Sequence, residues 1–531
     1  MPNIQGSNVG DMTTNHSEDV VNREIQMQKP NQTTQPAKPI SKQLEVNRQL
    51  LEEVFKSCSD LAYLAWKFGP NMSRHALSVY FGTIIQKKKL NYMKSVLQDL
   101  TTHEVGPGTE VTTESIIQYF EDDIVSAESA SLENDFDTLV DHILDGNLVI
   151  FFEGWDKAIV FQASGLETRQ ITEPISEPVV QGPRESTIEN LNINIGLLRI
   201  RLKSPLFKLE MLNSGGETRT KIAYCYLEGS VDPEMLAEFK GRMEATKSME
   251  VLETSYVEEL IQDSMYSPFP QFRVTERPDV AVSALLDGKI VVLVQGTGTM
   301  LICPGLFVEL LQSSEDYYQR TVYSSLIRWL RVIAFFMALT LPSIYIAVTT
   351  FHSEMIPTVL LLTILDSREG IPFPAFVEAL IMEFFFELLR EAGIRLPRPV
   401  GSAVSIVGAL VIGEAAINAG VASPMMVIIV ALTGIASFAI PQYNVAIALR
   451  ILRFPLMALS ASFGGFGLLF GLLAILWHMV TLRSLGQPFL GTLQPFSPRQ
   501  LLDTFVRAPI KYMDRSPRRK QASRAAPQHS E

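Results

Sequence analysis

The stretch Arg273–Arg320, RVTERPDVAVSALLDGKIVVLVQGTGTMLICPGLFVELLQSSEDYYQR, separates two chemically different halves of the chain. Within it, Asp279 to Leu286 has helical character. The apolar, β-branched runs Lys289–Val294 and Thr299–Cys303 then flank Gln295-Gly296-Thr297-Gly298. A turn-forming quartet between two such runs predicts a strand, a tight turn and a returning strand. Pro304-Gly305 stops the second strand, and Leu306–Leu311 starts a helix. The stretch closes a soluble α+β unit and hands the chain to a membrane region.

Charge follows the same division. Residues 326–531 carry 17 Lys/Arg and 11 Asp/Glu, a net of +6; subtraction from the totals of 45 and 57 leaves −18 for residues 1–325. An acidic soluble half lacks the basic footprint that non-specific nucleic-acid binding needs, so no nucleic-acid partner is expected. Cys58, Cys225 and Cys303 are widely spaced, show no CxxC pairing and lie in or near apolar runs. They read as buried free thiols in a reducing compartment. The opening MPNIQGSNVGDMTTN has neither a basic n-region nor an apolar h-region, so no cleavable signal peptide is expected.

Working back from the quoted stretch, the soluble half divides into parts. Residues 1–40, rich in Asn, Gln, Thr, Pro and Ser, read as a disordered tail. Residues 41–166 form a first α+β subdomain. A helix starts at Ser41, a strand covers Ala76–Ile85, and Lys89–Leu100, Thr113–Phe120 and Phe136–Leu144 are helical. Asn147–Phe152 and Ala158–Gln162 are paired strands. Residues 167–205 are a linker, Pro-rich and extended at first, then helical over Thr187–Leu202. Its Arg199, Arg201 and Lys203 make a basic patch suited to a domain or subunit contact.

Residues 206–325 repeat the plan, with strands at Phe207–Leu212 and Lys221–Tyr226 and helices at Pro233–Ala245 and Tyr256–Gln262. The repetition is visible in the residues. Ile143–Gly154 aligns with Leu285–Gly296 at an offset of 142, with Leu, Asp, Gly, Val and Gly coinciding. Two copies of one α+β unit are expected, their Asp-Gly pairs serving as turns rather than as catalytic groups.

Residues 326–482 read as an all-α polytopic transmembrane domain and 483–531 as a basic cytoplasmic tail. Val332–Phe351 has twenty uncharged residues, enough to cross a bilayer core of about 30 Å. Met355–Leu365 is too short to cross comfortably. Phe373–Arg390 carries Glu378, Glu383 and Glu387, with Glu383, Glu387 and Glu391 on one helical face and Glu378 nearly opposite. Either it is an interfacial amphipathic helix with Glu387–Arg390 and Glu391–Arg395 pairs, or its carboxylates face a water-filled cavity within the membrane.

Val400–Gly420 is rich in Gly, Ala and Ser, and Gly401, Gly408 and Gly413 suit close helix packing. Val404, Val407, Val411, Glu414 and Asn418 fall on one face. That face reads either as tightly packed, with Glu414 hydrogen-bonded between neighbours, or as pore-lining, with the valines as an apolar constriction and Glu414 attracting cations. Met425–Ile440 and Phe454–Leu482 are further spans, the latter with Gly464-Gly465-Phe466-Gly467 as a close-packing or kink site.

The connectors Arg390–Arg398 and Arg450–Arg453 and the tail are basic, which places them in the cytoplasm. Five segments then conflict with both chain ends lying on one side. The region 355–390 is the segment expected to depart from a plain crossing.

No Walker A loop, HExxH, GxSxG or metal-spaced Cys/His cluster occurs, so neither an enzyme nor a metal or other cofactor is expected. Several runs, in order, resemble the GerA family, the A subunits of bacterial spore germination receptors. They are TERPDV (Thr275–Val280), SSEDYY (Ser313–Tyr318), SREGIPFPAFVE (Ser367–Glu378), EAGIRLPRPVGSAVS (Glu391–Ser405) and LRILRFPLM (Leu449–Met457). The linker's EPISEPVVQGPRE run is similar too, and the likeness extends from about Phe81 to Pro509.

The resemblance implies an integral protein of the spore inner membrane with a cytoplasmic amino-terminal domain. It also implies a transporter-like B subunit and a lipoprotein C subunit as partners, and oligomerisation into a nutrient-gated monovalent cation channel. Nutrient binding is expected on the B-type partner. A non-conducting scaffold of the receptor cluster, or an accessory protein like the stage V sporulation AF branch, is the alternative. A secondary transporter is disfavoured, since the membrane half shows no inverted repeat.

Overall fold

The computed structural model describes residues 38–68, 73–102, 130–165, 173–397, 408, 411–491 and 503–509. The first unit contains helix α1 (Leu44–Val54), strands β1 (Leu61–Phe68) and β2 (Arg74–Phe81), helix α2 (Lys87–Thr102) and strand β3 (Ala130–Glu133). Helix α3 (Phe136–Leu144) and strands β4 (Leu148–Phe152) and β5 (Ala158–Phe161) complete it. The second contains α4 (Leu191–Arg201), β6 (Phe207–Asn213), β7 (Lys221–Leu227), α5 (Pro233–Met243) and α6 (Thr254–Ile261). It continues with β8 (Arg273–Thr275), α7 (Pro278–Leu286), β9 (Ile290–Val294) and β10 (Met300–Cys303).

The strand orders are β1-β2-β4-β5-β3 and β6-β7-β9-β10-β8. Advancing every strand of the first sheet by five converts it into the second, and all pairings are antiparallel. Register repeats as well. Ile150 faces Ile159 in the first hairpin, and Val292 faces Leu301 in the second, 142 residues on. The Asp-Gly turns match, with Gly146 at φ 87° and Gly288 at φ 82°. A Cβ at Gly288 would also meet the Ser230 carbonyl oxygen at 2.4 Å, so glycine is required there twice over.

Strands β4 and β9 are buried at every position because each sheet is covered on both faces. Alternation sends Val149 and Phe151 to a core with Leu51 and Leu139, and Ile150 and Phe152 to one with Phe68 and Met93. The three cysteines are buried and free. Burial pushes each thiol up, keeping the sulfurs protonated and unreactive.

Strands β1, β3 and β8 were not foreseen in the sequence, and the linker helix starts at Leu191 rather than Thr187 because Asn190 caps it, accepting from the Asn192 N–H. The expected helix Thr113–Phe120 and most of the 1–40 tail lie outside the described residues.

The helical region contains α8 (Thr321–Thr350), α9 (Thr358–Ser367), α10 (Ala375–Arg395), a helix over 411–418, α11 (Pro424–Phe438) and α12 (Tyr443–Thr481). Among the described residues, α8 and α12 are long and apolar enough to cross a membrane by length and composition. Helix α12 is not one rod, which corrects the reading of Phe454–Leu482 as a single span. At Gly464 the backbone takes φ 61°, ψ −142° and the chain folds back. Added Cβ atoms at Gly467 and Gly471 would meet the Leu459 carbonyl oxygen at 2.1 Å and the Leu456 side chain at 2.5 Å. A straight helix would hold residues 456 and 471 about 22 Å apart.

The contacts give the direction of each helix. Near the sheets, Ala334, Phe335, Val445, Leu449, Met479 and Leu482 share one core. Farther away, Ile346, Ala375, Met426 and Met457 share another. Helix α8 and the first arm of α12 therefore run away from the sheets, while α10, α11 and the second arm return. Gly408 lies against Leu389 and Gly420 against the Gly370 carbonyl, so the 411–418 helix runs outward. Among the described residues the chain makes six passes through the bundle, one of them seen only over 411–418. The reversal at Gly464 divides α12 into two of these passes.

Buried ion pairs as a candidate functional site

Helix α10 carries carboxylates on two sides, and each side meets an arginine. Glu383 lies 2.5 Å from Arg453 of α12, with side chains 4% and 1% exposed. The Arg453 Nε also donates to the Ala338 carbonyl of α8 at 2.9 Å, so one guanidinium joins three helices. One turn toward the sheets, Glu387 pairs with Arg450 at 2.6 Å and with Arg390 at 3.1 Å. Arg390 stacks over Phe386 and Phe438, with ring centroids 5.1 and 5.6 Å away. On the other side Glu378, fully buried, pairs with Arg368 at 3.0 Å and accepts from the Ser423 N–H at 3.0 Å.

The spacing of the glutamates along α10 explains which helix each one reaches. Glu383 and Glu387, four residues apart, share the face toward α12, and Glu378 points to the start of α11. The expected Glu387–Arg390 and Glu391–Arg395 pairs both form, the latter at 2.6 Å. The water-filled cavity does not describe Glu378 and Glu383, which are enclosed by packed side chains and ion pairs. Arg450 and Arg453 correct a second expectation. They are not in a connector but inside α12, because Glu387 and Glu383 across the interface neutralise them. LRILRFPLM held the signal, two arginines three apart beside apolar residues, although their partners lie 63 and 70 residues away.

The small-residue helix is placed only in part. Gly401, Val404 and Val407 lie outside the described residues. A Cβ at Gly408 would meet Leu389 of α10 at 2.6 Å, and one at Gly413 would meet Val427 of α11 at 3.5 Å. Val411, Glu414 and Asn418 are exposed on the opposite side. The structure thus separates a glycine face toward the bundle from a polar and valine face away from it.

At the end of the bundle near the sheets a second set of charges joins the two halves of the chain. Asp316, 2% exposed, pairs with Arg331 at 2.7 Å and Arg328 at 3.2 Å. Arg328 also reaches Asp503 at 3.1 Å. Arg507 donates to the Thr321 hydroxyl at 3.1 Å and the Tyr317 carbonyl at 3.3 Å. Gln442, which opens α12, donates to Glu177 of the linker at 3.0 Å. The basic patch divides similarly. Arg199 and Lys203 pair with Asp60 and Asp145 of the first unit at 2.6 and 2.7 Å, and Arg201 pairs with Glu185. Among the described residues no group of three His, Cys, Asp or Glu is arranged to hold a metal ion.

Comparison with known proteins gives the chain a family. The chain is 42% identical over 90% of its length, and 92% of the other's, to the uncharacterized membrane protein YfkQ of Bacillus subtilis (strain 168). It is 42% identical over 88% of its length, and 85% of the other's, to spore germination protein KA of the same organism. A crystal structure of the N-terminal domain of the A subunit of the Bacillus megaterium spore germinant receptor GerK3 aligns with 51% of this chain and 99% of its own. Sequence identity there is 24%, with a TM-score of 0.39. Residues 49–519 match the Bacillus/Clostridium GerA spore germination protein family, and the chain belongs to that family.

Proposed function

We propose that this chain is the A-type subunit of a nutrient-responsive germination receptor in the spore inner membrane, with no enzymatic activity of its own. Its six traverses cross the bilayer and leave both the α+β units and the residues after Leu482 in the cytoplasm. The arms of α12, about 30 and 25 Å long at 1.5 Å per residue, suit a hydrocarbon core of about 30 Å. A transporter-like B subunit and a lipoprotein C subunit are its partners, and lipid covers the rest of the helical surface. Copies of the chain assemble around the 411–418 helix to form a monovalent cation channel.

The observation that carries this reading is the two-sided character of that helix. Gly413 and Ala416 pack inward, while Val411, Glu414 and Asn418 face out with no side-chain hydrogen bond among the described residues. A carboxylate at membrane depth avoids lipid, so this face is suited to water or to another copy. Monovalent cation efflux, with and without nutrient, from cells expressing the chain and its partners tests it. At matched membrane abundance, Val411→Ala should leak without nutrient and Glu414→Gln should reduce flux. Unchanged flux in assembled variants would favour a non-conducting scaffold.

A further inference from the structure

Between α6 and β8 the chain forms a loop, SMYSPFP (Ser264–Pro270), that is anchored on both sides and apolar at its tip. Buried Gln271 staples the base. Its Oε1 accepts from the Asp263 and Ser264 N–H groups at 2.7 and 3.1 Å, and its Nε2 donates to the Ser264 carbonyl at 2.6 Å. On the other side the Ser267 hydroxyl and His478 Nε2 of α12 share a hydrogen bond of 2.9 Å, and Phe269 stacks on the His478 ring. Phe269 is buried in the near-sheet core of the bundle with Met479 and Leu482. Between these anchors Tyr266 is 98% exposed and Met265 65% exposed. At such exposure the two side chains add little to the packing of their own unit, yet the loop holds them out in a fixed position.

His478 sets the depth of the tip. It lies one turn before the end of α12 at Thr481, about 4.5 Å at 1.5 Å per residue. Exposed aromatic side chains mark the same level of the bundle. Trp477 is 75% exposed on the second arm, and Tyr443 is half-exposed where the first arm begins. Arg483, also exposed, follows directly after α12. Trp and Tyr gather where a helix leaves hydrocarbon, because their rings are apolar while their N–H and O–H groups seek water. Leu473, Leu476 and Trp477 already turn an apolar surface outward beside the loop, and the tip continues it. We propose that Met265 and Tyr266 dip into the headgroup layer of the lipid bilayer, a placement that rests on the membrane crossing proposed above. The second α+β unit is then a membrane-contacting unit in its own right. It cannot tilt away from the bilayer without withdrawing both side chains from it.

Fluorescence quenching of the full chain in phosphatidylcholine liposomes tests the assignment. The three native cysteines are buried, so a fluorophore can be attached to the folded protein at Met265→Cys. Phe470→Cys on the second arm of α12 and Val46→Cys on the first unit serve as references, both positions being exposed. A nitroxide on the lipid headgroup should quench the label at 265 several-fold more than the label at 46, and aqueous iodide should quench it several-fold less. Adding Tyr266→Asp to Met265→Cys should reverse both differences, which a label entering lipid of its own accord would not show. Iodide quenching at 265 equal to that at 46, with lipid quenching confined to 470, would overturn the proposal and leave the crossing intact. A label at 265 shielded from both quenchers would also overturn it, since protein rather than lipid would then cover the tip. So would lipid quenching at 265 that Tyr266→Asp leaves unchanged. Lipid quenching at neither 265 nor 470 would remove the crossing itself, and the dipping loop with it.

Discussion

Arg199, on the helix that opens the second α+β unit, closes on Asp60 of the first at 2.6 Å, with side chains 0% and 2% exposed. Its guanidinium is sandwiched between Phe81 and Phe207, 4.1 and 4.6 Å from their centroids. A planar cation fits two ring faces and one carboxylate together, which lysine could not do. This contact ties the two repeats into one body.

Removing one partner of that pair leaves a buried charge uncompensated. Asp60→Ala should lower stability by about 3–5 kcal/mol. Asp60→Leu with Arg199→Met should recover most of the loss, because the apolar pair carries no desolvation cost. Denaturant titration of the full chain, followed by circular dichroism, provides both values.

The same reasoning applies in the helical region. Glu383→Ala strands Arg453 among α8, α10 and α12, and should cost about 3–5 kcal/mol. The check is the folded, monodisperse fraction recovered in detergent, with Glu383→Leu/Arg453→Met as the rescuing double variant. A loss in the single variant and none in the double identifies the stranded charge as the cause.

Gly464 is the hinge of the α12 reversal, and its φ 61°, ψ −142° is open to glycine alone. An added Cβ would also lie 2.8 Å from Phe351 Cβ. Gly464→Ala should therefore prevent the reversal rather than merely weaken packing. A cysteine at Phe466, beside the turn, should react with an impermeant maleimide from one side of the membrane in the parent. In Gly464→Ala that reactivity should be lost or change side.

Glu258 offers a pH test in the second α+β unit. Burial, with a smaller push from Glu253, raises its carboxyl from 4.5 to about 7. The folded state thus favours the protonated form. Stability from this group is full below about pH 4.5 and is lost as pH rises through about 7. Glu258→Gln should stabilise the chain at pH 8 by about 3 kcal/mol, and by little at pH 5. Thermal unfolding at the two pH values decides it.

The α+β half was largely legible because its signals are local. Asp-Gly and Gln-Gly-Thr-Gly between apolar runs specify a turn without reference to the rest of the chain, and the 142-residue echo gave the second copy. Strand β1 was not legible. Its LAYLAWKF is half-exposed, on the sheet edge, and lacks clean alternation. In the helical half hydropathy gave the apolar segments but not their path. Phe454–Leu482 is uninterrupted by charge, so only GGFG marked the reversal. The glutamates of α10 were legible as one face and one outlier. Which arginines they meet depends on helices far away in sequence.

The clasp of Arg328 by Asp503 and of Thr321 by Arg507 has a temporal side. The first helix leaving the sheets obtains part of its polar environment only after all six traverses have been made. Until then, among the described residues, Asp316 is the one carboxylate paired with Arg328 and Arg331, two cations against one anion. A ribosome-bound chain that has produced α8 but not residue 503 is therefore electrostatically unfinished at the junction of its two halves. Completion of that junction reports that the bundle has been threaded to its end.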